Sequence, residues 1–110
     1  MIDWTRVAEL RDEIGPEDFS EVAELFLMEV EDTLSRLPSA RNDAHQMQEL
    51  MHFLKGSALN LGFANLAETC SAAEISVTNG DCDVDVPSMK QIYAQSRQLF
   101  ETEFAQRFAA

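Results

Sequence analysis

Apolar residues return at steps of three and four along almost the whole chain, and polar or helix-breaking residues cut the pattern into segments. Such spacing gathers apolar side chains on one face of an α-helix, whereas a half-buried strand alternates every second residue. Asp3 is placed to cap a short helix running to about Glu13, and Gly15-Pro16 breaks it before a second helix begins. Phe19, Val22, Phe26, Val30, Leu34 and Leu37 make the stripe of that second helix, which Pro38 ends. Asp43 followed by Gln46 fits an N-terminal capping pair and opens a helix to about Leu61, where Gly62 supplies a stop. Phe63, Leu66, Cys70, Ala73 and Val77 mark the next helix, ending near Asn79-Gly80. After a polar loop through Asp83, Pro87 sits near the start of a last helix with the stripe Met89, Ile92, Tyr93, Ser96, Leu99, Phe100, Phe104 and Phe108. Short connections force successive helices to run antiparallel. The pattern therefore predicts an all-α, up-down-up-down four-helix bundle with a short N-terminal leader helix.

The third of these helices carries the chemistry. Stepping about 100° per residue puts Met47, Leu50, Leu54, Ala58 and Leu61 on one side, with Ser57 at their edge, and that side is the core. His52 falls on the opposite side, with His45, Gln48, Lys55, Gly56 and Leu59 within about 60° of it. A glycine inside a helix costs roughly 1 kcal/mol relative to alanine, so Gly56 needs a reason. Two are open. Either another helix packs closely against it, or a partner must approach His52 over it; its place away from the apolar stripe favours clearance.

Composition narrows the setting. With 110 residues, 45% of them hydrophobic, and only 4 glycines and 3 prolines, the chain is expected to form one helical domain over residues 1–110. It has no run of about 20 apolar residues that would cross a bilayer, and Met1-Ile2-Asp3-Trp4 lacks the features of a signal peptide, so a cytoplasmic location is expected. Cys70 and Cys82 form no CxxC and suggest neither a disulfide framework nor a zinc site. Eight basic residues against 20 acidic ones, a net charge of −12, argue against nucleic acid or an anionic membrane as partner and leave a protein as the default. Eleven of the acidic residues lie between Asp3 and Asp32, while Ala44 to Gly62 holds only Glu49. That contrast fits plain solvated faces, or a surface that must tolerate an added anion or meet an acidic partner.

A neutral imidazole is a competent nucleophile that can carry a phosphoryl group. Lys55, one of only two lysines, stands one turn on, where its flexible stem can bring an ammonium to an anion on that ring. Leu59 on the same exposed face fits a docking contact, and His45, two turns before His52, fits a rim position too distant to share a metal. Phosphoryl transfer also needs metal and positioned charge, which a helix with one lysine does not offer. The partner must bring the Mg²⁺ and the acceptor; no resident cofactor or metal is expected.

His52-Phe53-Leu54-Lys55-Gly56-Ser57-Ala58, followed by Leu61-Gly62, closely resembles the H-x-L-K-G-S-[SA] signature of histidine-containing phosphotransfer (HPt) domains. Leu66, Cys70 and Glu74 resemble the L-x-x-x-C-x-x-x-E spacing often found in the next helix of that family, and the length is that of a free-standing member. The resemblance implies a phosphorelay intermediate, not an enzyme, that accepts a phosphoryl group on His52 and exchanges it with aspartates of response-regulator receiver domains, fed by a hybrid histidine kinase. It implies that Lys55 neutralises the phosphoryl group and that Gly56 clears the receiver's path, with Gln48 and Ser57 less defined. Similarity to the phosphotransfer domains of chemotaxis kinases implies that Glu74 orients the imidazole; a solvated or capping glutamate is the alternative. A monomer is expected.

Three other functions fit the sequence less well. A sensor-kinase dimerisation and phosphoacceptor domain would follow its histidine with an acidic residue and soon a Thr-Pro pair, whereas Phe53 follows His52 and no proline lies between Pro38 and Pro87. A receiver-binding module without phosphotransfer would not need both His52 and Lys55. A metal or haem bundle has only two histidines, seven apart, to work with.

Overall fold

The computed structural model describes residues 2–108, so Met1 and the two last alanines of the expected 1–110 domain lie outside the described residues. Helix α1 spans Trp4–Ile14, and the Asp3 carboxylate accepts the backbone N–H of Arg6 at its start, as expected of that cap. Helix α2 spans Phe19–Arg36 and gives way to a 3₁₀ turn, Leu37–Ala40, at Pro38. Asp43 caps α3, Ala44–Leu61, by accepting the N–H of Gln46. Helix α4 spans Ala64–Thr78 and α5 spans Val86–Arg107, with Pro87 in its first turn.

Gly62 joins α3 to α4 in a left-handed conformation with φ 75°, and the Phe63 N–H returns to the Ala58 carbonyl. A Cβ there would also lie 2.6 Å from the Asp3 carbonyl oxygen, because the Asp3 N–H donates to the Gly62 carbonyl at 2.7 Å. Gly62 thus sets the α3–α4 turn and pins the start of α1 against it. Helix α3 packs along α4 and also against α2 and α1, while α5 closes the bundle against α4 and α2. No strand occurs among the described residues; Ile2 and Phe63 form a single isolated bridge. The result is the expected antiparallel helical bundle with a leader helix.

Two stripes differ from expectation. In α2 the buried apolar positions are Phe19, Ala23, Leu27, Val30 and Leu34, while Val22 and Phe26 are half-buried. Four consecutive apolar residues, Leu25 to Met28, leave no polar position to fix the phase of the stripe, and packing selects Leu27 over Phe26. In α3, Met51 is fully buried and Leu50 only half-buried, which rotates the core face slightly. Phe100 is buried, Phe104 packs on it and on Phe19, and Phe108 packs on Phe104 and Trp4, so the phenylalanine series of α5 belongs to the core.

Candidate functional site

The core residues of α3 decide where His52 points. Met51 and Leu54 have no solvent exposure, and with their side chains fixed inward the His52 side chain, between them in sequence, is turned out and 75% exposed. Its Nδ1 faces Glu74 Oε1 of α4 at 3.4 Å. An ionised carboxylate only accepts, so this contact favours the tautomer with hydrogen on Nδ1 and a lone pair on Nε2. Among the described residues nothing hydrogen-bonds Nε2, so its lone pair is left open on a largely exposed side chain.

Glu74 is brought to this height by the antiparallel turn at Gly62, and its side chain is only 19% exposed. Its second oxygen, Oε2, is buried without a hydrogen-bond partner, and the Lys55 ammonium stands 3.8 Å from it. One carboxylate therefore lies between the imidazole and the ammonium. The Lys55 contact is Coulombic rather than a made hydrogen bond, so the ammonium is held near the site yet free to take a better partner.

Gly56 is exposed one turn beyond His52, and a Cβ built on it meets nothing within 4 Å. Close helix packing against Gly56 is thereby ruled out. Gln48 and His45 are exposed on the same face, and His45 Nε2 lies 2.9 Å from Glu49 Oε1. His45, Gln48, Glu49, His52, Phe53 and Glu74 line an open recess of about 430 Å³. Leu59 is exposed beside a second recess, about 310 Å³, shared with Lys55, Ala64, Ala67, Glu68 and Ser71. His45, Gln48, His52, Lys55, Gly56, Leu59 and Glu74 thus lie on the α3–α4 face, while Ser57 is buried. Phe53 and Glu49 were not among the expected site residues, although the helical wheel already puts both off the core arc.

Cys70 is the other nucleophilic side chain close to the site. Burial, with a smaller contribution from the Glu74 charge and an opposing one from Lys55, pushes its thiol up to about 12, so it stays protonated and unreactive. Among the described residues no group of three or more His, Cys, Asp or Glu is arranged to hold a metal ion, and no helix is long and apolar enough to cross a membrane.

Known proteins share both sequence and shape. The sequence model of the Hpt domain matches residues 21–106. A curated relative, Pseudo histidine-containing phosphotransfer protein 2 of Oryza sativa subsp. japonica, is 26% identical over 111 residues, covering 92% of this chain and 72% of that protein. The crystal structure of histidine-containing phosphotransfer protein B from Pseudomonas aeruginosa PAO1 superposes with a TM-score of 0.82 at 27% identity, covering 97% of this chain and 96% of that one. With the family match spanning α2 to α5 and the whole bundle reproduced in a phosphotransfer protein, the chain belongs to the Hpt domain family and is a histidine phosphorelay intermediate, a phosphocarrier rather than an enzyme.

Proposed function

We propose that His52 is the phosphoryl acceptor and that it exchanges the group with the aspartate of a response-regulator receiver domain. Proteins of this family work with kinases and response regulators. The observation that carries the residue assignment is the exposed mid-helix imidazole whose Nδ1 faces a carboxylate, leaving Nε2 open. In the forward step the Nε2 lone pair attacks phosphorus, the bond from phosphorus to the aspartyl oxygen breaks, and aspartate leaves as a carboxylate. The ring becomes cationic while Nδ1 keeps its proton, and Glu74 stabilises that charge as it holds the ring's orientation. Lys55 turns from Glu74 to the phosphoryl oxygens. Gly56 leaves the approach open, with Gln48, Leu59 and His45 bordering the docked receiver.

A Mg²⁺ ion held by the receiver would screen the phosphoryl oxygens during transfer, and we assign no resident cofactor to this chain. We further assign a hybrid histidine kinase as the source of the phosphoryl group, the cytoplasm as the location and a monomer as the working form, with no nucleic-acid or membrane partner. A net charge of −12 supports the last point. A binding module without transfer is the second reading, prompted by the pseudo designation of the Oryza protein, and the exposed imidazole beside a lysine weighs against it.

Incubation with a phosphorylated receiver tests the assignment. An acid-labile, base-stable label should appear and should vanish in His52→Gln while the helical content and thermal midpoint stay the same. A label that persists in that variant removes His52 as the acceptor.

A further inference from the structure

Among the described residues the exposed large apolar side chains are Leu25, Met28, Phe53, Leu59 and Ile75. Phe53 is the one aromatic of this set and directly follows His52. At 47% exposure its ring contributes little to the core, which takes Met51 and Leu54 from this turn instead. On a helix Phe53 stands about 100° to one side of His52 and Lys55 about 60° to the other. The imidazole is thus flanked by an ammonium on one side and an aromatic ring on the other. Any partner that brings an aspartyl phosphate to Nε2 must cover both flanks, and the recess that Phe53 lines carries the Glu49 carboxylate, while that of Glu74 sits between the imidazole and Lys55.

An exposed aromatic ring next to a docking centre is the kind of residue that dominates binding energy once desolvated. Its chemistry also discriminates. Burying an acidic side chain of a partner against the ring would strip that charge of water and set it beside Glu49, with the Lys55 ammonium on the opposite flank of His52 and drawn to Glu74. We propose that Phe53 is a specificity-determining anchor: receivers that present an apolar recess beside their phosphorylated aspartate bury the Phe53 ring and react fast, whereas receivers with an acidic residue there react slowly. This rests on His52 being the acceptor for receivers.

Phe53→Ala and Phe53→Leu, in the full chain, test the proposal against a panel of purified phosphorylated receiver domains, with kcat and KM measured for each. Labelling of His52 by phosphoramidate, which needs no docking surface, and the thermal midpoint are measured in parallel. For the fastest receivers Phe53→Ala should raise KM by roughly tenfold or more, equivalent to losing one hot-spot contact, with kcat little changed. Phe53→Leu should recover part of that, and the slow receivers should hardly respond, so the spread between receivers narrows. Equal slowing of all receivers, no slowing of any, or a matching loss of the phosphoramidate reaction would each overturn the proposal. A wild-type chain labelled at His52 by phosphoramidate but by no receiver would instead overturn the partner assignment beneath it, and that outcome is seen before any Phe53 variant is made.

Discussion

Gly56 offers a perturbation in which stability and transfer should move in opposite directions. The residue is helical and exposed, and an added Cβ meets no atom within 4 Å. Gly56→Ala should therefore gain the helix-propensity difference of up to roughly 1 kcal/mol. For a chain of this size that is a rise of about 4 °C in thermal midpoint. Gly56→Gln and Gly56→Arg should keep most of that gain, since both are good helix formers pointing into solvent. The added side chain would stand about 6 Å along the axis and about 40° around from His52, in the space above the imidazole. If it holds the receiver off by even about 1 Å, transfer falls on the order of 100-fold, because the reacting atoms leave attack distance. Thermal melts, labelling by phosphoramidate and single-turnover transfer from a receiver should be run side by side. The large variants should melt at or above the wild-type temperature, keep most of the phosphoramidate reaction and lose the receiver reaction selectively. A lowered midpoint would refute the open surroundings inferred for a side chain at Gly56, and undiminished receiver transfer would mean that the partner does not pass over it.

Further outcomes follow from other contacts. Lys55→Ala should fold normally and slow transfer by roughly 10- to 100-fold, less than a fully buried donor would, because the ammonium is partly exposed; unchanged rates in both directions would leave it a solvated side chain. Gly62→Ala and Gly62→Asn should both destabilise the fold by roughly 2 to 3 kcal/mol in denaturant titrations, Asn included despite its tolerance of positive φ, because either Cβ meets the Asp3 carbonyl; a mild effect of Asn alone would reduce the requirement to φ. Stability should also decline in alkali. Burial raises the Cys70 thiol to about 12 and, with the Glu31 hydrogen bond, raises the Tyr93 phenol, so the folded state holds protons that the unfolded chain releases from about pH 9 upward. That stability is intact below the unfolded pKa values and lost as pH climbs through the folded ones, which melts between pH 8 and 11 would record. At pH 8 the more accessible Cys82 should react with a thiol reagent well before Cys70.

Helix boundaries were legible because they are local. Asp3 and Asp43 announce their own caps, Pro38 cannot continue α2, and Gly62 is the residue that a left-handed turn selects. The phase of a stripe is less local. In α2 the apolar run Leu25-Phe26-Leu27-Met28 reads equally well in two rotations, and only the helices it meets decide that Leu27 is buried while Leu25 and Met28 stay in solvent. Met51 was missed for a related reason: it lies at the margin of the apolar arc, and the crossing of α1, α2 and α4 over α3 covers that margin.

The same division runs through the site. Lys55 and Gly56 are visible beside His52 because a helix turn converts sequence spacing into distance. Glu74 belongs to another helix, and its height depends on where the turn at Gly62 places α4, so spacing could only nominate it. Its buried Oε2 without a hydrogen-bond partner could not be anticipated at all, since that depends on how far the Lys55 stem reaches. Yet this atom changes what the site can do. A half-satisfied carboxylate beside an ammonium is a contact easily exchanged, and a phosphoryl group on Nε2, as proposed, would offer that ammonium more charge. The fold therefore anchors the helix turn of the proposed acceptor through side chains with no solvent exposure, and leaves the neighbouring ammonium on a flexible stem. That combination suits a carrier, which has to stabilise the group it receives without binding it too firmly to pass on.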